Sequence, residues 1–232
     1  MKIGIMQPYF FPYMGYWQLI NAVDKYVIYD DVNYIIRGWI NRNNILLNGK
    51  KHLITLPLEG ASSSLLINEI KVTPIQKDKE KLLKTIELSY KKAPYFNDVF
   101  PIVKNTLFYE NELVSEKLVY SIKSIKKYIN INTEILLSSQ LNKDNSLSAE
   151  AKIIHICELL NGDKYYNAIG GQDLYDKANF EKRNLKLSFV KMNNISYKQF
   201  NNNFIPNLSI IDVLMFNSPS SIKDMLNDYE VI

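Results

Sequence analysis

The sequence predicts an α/β fold: a mostly parallel, Rossmann-like sheet with flanking helices, an inserted β-hairpin and a helical middle section. Three observations predict it. Short apolar runs of strand type alternate with stretches of helical periodicity, first at 2–6, 14–22 and 26–29 and again at 133–137, 148–161 and 165–169. An Asn-Gly pair, Asn48-Gly49, separates two apolar-rich runs at 40–47 and 51–58, and such a pair supplies the positive φ angles of a hairpin turn. Between about residues 75 and 130 only helical periodicity occurs.

The elements follow in order. Residues 2–6 are a short apolar strand, and Gln7-Pro8-Tyr9-Phe10-Phe11-Pro12-Tyr13 must be a loop, because each proline disfavours the helical region for the residue before it. Met14, Trp17, Leu19, Ile20 and Val23 fit one face of a helix, and Tyr26-Val27-Ile28-Tyr29 is a buried strand ending at Asp30-Asp31. This βαβ unit is expected to bring the 7–16 loop and Asp30-Asp31 to the carboxyl edge of the sheet, where open α/β sheets bind ligands. After the hairpin, Leu82, Leu83, Ile86 and Tyr90 line a helix that Ala93-Pro94 closes, and further helices are expected at 98–109 and 111–129. A helix at 148–161 ends at Asn161-Gly162. The strand 165–169 runs into Gly170-Gly171, a strand follows at 185–191, and 209–229 reads as helical segments behind Ser209 and Ser220. No repeat, linker or low-complexity tract interrupts residues 1–232, so one domain with a helical subregion at about 75–130 is expected.

Composition narrows the function classes. The net charge of +4 is a small difference between 28 basic and 24 acidic residues, too diffuse for a protein whose main ligand is nucleic acid. No apolar run reaches the roughly eighteen residues of a membrane span, and the opening Met1–Met6 run meets Gln7-Pro8 too early for a signal-peptide core, so a cytoplasmic location is expected. One cysteine and two histidines form no metal-binding pattern, and no metal is expected. His155 and Cys157 lie in an apolar helix and read as core; His52, on the hairpin, is the better general base of the two histidines. Phosphate loops of the Gly-x-Gly-x-x-Gly and Gly-Lys-Ser/Thr types are missing, and nothing names a cofactor.

Four segments could carry chemistry. In Gln7–Tyr16, Gln7, Tyr9, Tyr13 and Tyr16 are candidate substrate-binding residues, although aromatic rings there could equally pack over the sheet edge. Tyr13 and Tyr16 stand where nucleotidyl-transferring α/β enzymes carry the histidines of His-x-Gly-His; tyrosine supplies no imidazolium, which argues against ATP activation. In the second segment Asp31 is the candidate catalytic carboxylate, with Asp30, Asn41 and Asn43 beside the substrate. Arg37 and Arg42, two of only three arginines, offer planar grips on phosphate, or simply solvated charge. The third candidates are Lys92 and Tyr95 at a helix end, where lysine also follows from the helix dipole. The fourth are Asn167, Gly170 and Gly171, where paired glycines allow a close backbone approach or a tight turn.

Met6–Tyr16, Tyr29-Asp30-Asp31-Val32, Arg37-Gly38-Trp39-Ile40-Asn41-Arg42-Asn43, Lys92-Ala93-Pro94-Tyr95-Phe96, Ile169-Gly170-Gly171 and Leu208–Asn217 together resemble the WbqC-like protein family over essentially the whole chain. The resemblance implies an occurrence with O-antigen and other surface-polysaccharide genes, and transfer of glycine or another acyl group from an activated acyl or aminoacyl donor to the amine of a nucleotide-linked amino sugar. On that expectation Arg37 and Arg42 clamp a phosphate while Asp31 orients or deprotonates the amine. An ATP-dependent ligase or nucleotidyltransferase, and a non-catalytic sugar-nucleotide-binding partner, remain as alternatives.

Overall fold

The computed structural model describes residues 1–200 and 203–232. Its central sheet has six strands in the order β7-β2-β1-β8-β9-β10: β7 (Glu134–Leu137), β2 (Lys25–Ile28), β1 (Lys2–Met6), β8 (Lys164–Ala168), β9 (Lys186–Met192) and β10 (Tyr229–Val231). All neighbours are parallel except β10, which runs antiparallel along the β9 edge. Side chains alternate between faces. Tyr26 and Ile28 enter the larger core with α1 (Met14–Ala22), while Val27, Ile3, Ile5 and Tyr165 face a second core closed by α5 (Ala149–Leu159) and α6 (Lys177–Glu181).

The hairpin forms as expected. β3 (Arg42–Leu47) pairs with β4 (Lys50–Thr55), and Asn48 and Gly49 both take positive φ, +50° and +72°. The pair β5 (Leu58–Glu59) and β6 (Lys71–Val72) follows, too short to leave a periodic trace in the sequence. The helical middle is α2 (Gln76–Tyr90), α3 (Phe96–Leu107) and α4 (Val114–Tyr128), and the chain then returns to the sheet as β7.

Two expectations near the C-terminus are corrected. The last helical stretch divides into α7 (Ile210–Phe216) and α8 (Pro219–Asn227), with Ser209 and Ser218, not Ser220, accepting from backbone amides at their starts. Pro219 sets that boundary, since its fixed φ suits the first helical position. Residues 229–231 are strand because β9 offers an unpaired edge, and that tertiary pairing overrides any local helical preference. The helix ending at 159 does close with a left-handed residue, but Asn161, at φ +55°, adopts that conformation.

The strand order reverses between β1 and β8: from β1 the sheet grows through β2 and β7 on one side and through β8 and β9 on the other. The chain leaves β1 for α1 on the face of the larger core, and leaves β8 through a 3₁₀ turn (Ile169–Leu174) toward α6 on the opposite face. Diverging loops at such a point leave a crevice beyond the carboxyl ends of the two strands.

Candidate functional site

The loop between β1 and α1 is fixed from both sides. Phe10 and Phe11 are fully buried, with ring centroids 4.7 Å apart. Phe11 takes φ +45°, an unfavourable conformation for a bulky residue, and its carbonyl accepts from Asn43 Nδ2 and Ser209 Oγ, both at 2.8 Å. Asn43 Nδ2 also donates to the Phe10 carbonyl at 3.1 Å, and the Phe10 amide donates to the Trp39 carbonyl at 3.0 Å. The strained backbone is thus held by β3, by the turn before it and by the start of α7. Tyr9 and Tyr13 are half-buried and project outward, with buried Pro12 beside them.

These residues wall a hollow of about 460 Å³ at the strand-order reversal, with Trp39 from the turn before β3, Ile169 after β8 and Met192 at the end of β9 completing it. A second hollow of about 420 Å³ lies against it; Tyr13, Met192 and Asn207 belong to both, and Asn193, Ser196 and Tyr197 line the second. The Tyr13 ring lies over Gly15, where a Cβ would stand 2.6 Å from Cε2 of that ring. Burial raises the Tyr13 phenol above its ordinary range, and burial followed by the nearby Tyr13 does the same for Tyr9, so both remain neutral hydrogen-bonding groups.

A buried carboxylate supports the second hollow. Asp212, in the first turn of α7 and fully buried, accepts from Tyr197 Oη at 2.7 Å, Gln199 Nε2 at 2.7 Å and Tyr90 Oη at 2.8 Å. Tyr90 Oη accepts in turn from the Leu46 amide, which links β3, α2 and the residues Tyr197 and Gln199 through one carboxylate. Desolvation raises the Asp212 carboxyl, opposed by its three donors. Asp212, Tyr197, Met192 and Asn207 are not among the residues that the sequence motifs mark as candidates. An aspartate inside the apolar run Ile210–Met215 was the available signal, because a carboxylate on a buried face requires donors around it.

Tyr9, Tyr13 and Asn43 meet at the first hollow. Tyr16 is fully buried, its hydroxyl donating to the Gln7 carbonyl at 3.1 Å; Gln7 is half-buried and lines neither hollow. Asp30 accepts from the Ser139 amide and hydroxyl at 3.0 and 2.6 Å, and Asp31 is ion-paired with buried Lys143, which also donates to the Ser138 carbonyl. Both carboxylates therefore face the segment after β7. Asn41 accepts from Tyr34 Oη and donates to the Leu56 carbonyl. Arg42 donates through Nε to the Gly38 carbonyl at 2.9 Å and through its guanidinium to the Arg37 carbonyl, so it closes the turn before its own strand. Arg37 is exposed, at φ +61°, and no ion pair engages its side chain among the described residues. The expected meeting of Asp31, Arg37 and Arg42 at one hollow is not built: none of the three lines either one. His52 is exposed on β4, beside Asp78 and Lys81 of α2. Lys92 is exposed, and Tyr95 precedes α3 with its amide donating to the Met215 carbonyl. Asn167 packs on Gly171, where a Cβ would stand 2.5 Å from Nδ2, while Gly170 faces open space. Among the described residues no group of three or more His, Cys, Asp or Glu could hold a metal ion, and no helix is long and apolar enough to cross a membrane.

The family model described as the WbqC-like protein family matches residues 7–224. The chain is also similar to the uncharacterized protein Rv1507c of Mycobacterium tuberculosis, at 25% identity over 240 aligned residues that cover 97% of each chain. No solved structure matches.

Proposed function

The chain belongs to the WbqC-like protein family, and from that premise we propose that it is a transferase of surface-polysaccharide biosynthesis that binds a nucleotide-linked amino sugar at the sheet's carboxyl edge and acylates or aminoacylates its amine. The observation that carries the reading is the first hollow. It lies at the reversal of strand order, the usual ligand position of an open parallel sheet, and is walled by aromatic rings beside amide groups. Tyr9, Tyr13 and Trp39 suit stacking against a base or the apolar face of a sugar ring, and the exposed Asn207 suits its hydroxyl and amide groups, whereas the Asn43 amide is committed to the Phe10 and Phe11 carbonyls.

In this reading the amine nitrogen attacks the acyl carbon of an activated donor, the bond to the leaving group breaks, and the amine proton departs with that group. The second hollow, which shares Tyr13 with the first, is the place for the donor. Asp31 lines neither hollow and is paired with Lys143, so an amine held in the first hollow is not oriented by it. Arg37 keeps the role of phosphate partner, since Arg42 is committed to two carbonyls.

A second reading is favoured by the uncharged character of both linings: the chain holds the sugar nucleotide for another protein without transforming it. Calorimetry with a panel of nucleotide-linked amino sugars, on the natural chain and on Tyr9→Ala and Trp39→Ala, tests the site. Mass spectrometry of nucleotide-sugar pools with and without the protein separates transfer from holding. Absence of binding across the panel, or equal affinity for all three proteins, removes the site from the proposal.

A further inference from the structure

The turn between β2 and β3 carries three exposed apolar side chains in five residues: Ile35 is 52% exposed, Ile36 57% and Trp39 46%. Exposed Ile75 and Leu88 stand singly, as is ordinary on a protein surface, and exposed Val231 and Ile232 are neighbours at the end of β10. This turn is also rigidly built. The Gly38 amide donates to the Ile35 carbonyl at 3.0 Å, Arg42 ties the Arg37 and Gly38 carbonyls, and the Trp39 carbonyl accepts from the Phe10 amide. At its two ends Tyr34 and Ile40 are buried, with Tyr34 Oη donating to Asn41 Oδ1 at 2.8 Å. The chain holds isoleucines and a tryptophan in solvent on a braced support, with Arg37 between them.

We propose that this Ile35-Ile36-Arg37-Gly38-Trp39 turn docks the protein on an anionic lipid surface. Three half-exposed side chains offer on the order of 300 Å² of apolar area, well below the ~800 Å² per partner of a stable protein–protein interface. Insertion of a few such side chains by about 5–10 Å at the headgroup boundary requires no larger apolar area. Tryptophan, branched aliphatic side chains and a cation are the composition of an interfacial anchor, and Arg37 together with the net charge of +4 complements anionic headgroups. Trp39 also walls the first hollow, so docking places that hollow's mouth at the membrane surface.

The docking shares Trp39 and Arg37 with the substrate reading, but the two tests are separate: the substrate titrations run without lipid, and the vesicle assay runs without nucleotide sugar. Phosphatidylcholine vesicles with and without phosphatidylglycerol are mixed with the full chain, and co-sedimentation and tryptophan emission are followed. Of the two tryptophans Trp17 is fully buried, so Trp39 reports the change. The expected result is sedimentation and a blue shift with the anionic vesicles, weakening with added salt, and at least about tenfold weaker binding for Ile35→Ser/Ile36→Ser. Those two side chains lie mainly in solvent, so the variant's circular dichroism should match that of the natural chain. No sedimentation, equal binding to the neutral vesicles, unchanged binding by the double variant, or a turn-dependent dimer in light scattering without vesicle binding would each overturn the proposal.

Discussion

Tyr197 Oη and Asp212 Oδ2 stand 2.7 Å apart, joining the wall of the second hollow to a carboxylate with no access to solvent. Asp212 has no cationic partner among the described residues; its charge is balanced by three neutral donors and its place in the first turn of α7. Removing the carboxylate by Asp212→Ala leaves those donors facing an apolar gap and should lower unfolding free energy by roughly 3 kcal/mol, with the second hollow losing its shape. Asp212→Asn retains one acceptor and removes a buried charge, so its cost at neutral pH should be no more than about 1 kcal/mol. Because burial raises the folded-state pKa above the ordinary 3.8, the protonated form favours folding. That contribution is complete below 3.8 and is lost as pH rises through the folded value. Urea midpoints of the natural chain and Asp212→Asn, compared from acid upward, should therefore converge or cross as pH rises; parallel curves would show that Asp212 does not titrate in this window.

The two neighbouring arginines should separate in their effects. Arg42→Lys replaces a planar fork serving two carbonyls by a single ammonium that cannot reach both in the same way, and should cost about 1–2 kcal/mol of stability. Arg37→Lys disturbs no such bond. It should leave the urea midpoint unchanged and weaken nucleotide-sugar binding several-fold in calorimetry, whereas equal affinity would remove Arg37 from the phosphate role.

The sheet and its helices were legible because continuous apolar, β-branched runs and the 3.6-residue period survive in short windows, as at Lys25–Ile28 and Val114–Tyr128. The wall built from 193–197 and 204–208 was not, since its placement depends on Asp212 and Gln199, residues distant from the first strand and without a periodic pattern. Tyr9 and Tyr13 could be named from their position after β1, but Tyr16, two residues beyond Met14, turns into the core with Tyr26, as its position in α1 requires. Arg42 illustrates a different limit. The fork geometry that fits a phosphate also fits two successive carbonyls, and sequence spacing does not distinguish them.

Lys117 provides a stability test away from the hollows. Its ammonium is buried on α4 and donates to the Tyr109 carbonyl; burial first, and the charge of Lys79 second, push it down to about 8 from the ordinary 10.5. Between those values the unfolded chain binds more protons than the folded one, so this group makes stability rise with pH. Lys117→Met should flatten that rise. The difference in urea midpoint between variant and natural chain, which cancels the tyrosines common to both, should favour the variant at neutral pH and shrink toward 10.5. A constant difference would show that burial does not perturb Lys117.

Gly15 sits in α1 beneath the ring that divides the two hollows, and this makes Gly15→Ala a test of the site with little risk to the fold. An added Cβ would meet Tyr13 Cε2 at 2.6 Å and Oη at 2.8 Å, atoms at the far end of a side chain that can swing aside. Alanine in a helix is also favoured over glycine by about 0.8–1 kcal/mol, which offsets part of the strain. The melting temperature should consequently change little. The displaced ring must move within one hollow or the other, because Tyr13 belongs to both, and affinity for the nucleotide-linked amino sugar should fall about tenfold or more. Tyr13→Ala in the same background removes the clashing ring altogether. If the loss comes from displacement of the phenol, the double variant should bind no worse than Tyr13→Ala alone; additive losses would place the effect of Gly15 in the helix itself, apart from the ring above it.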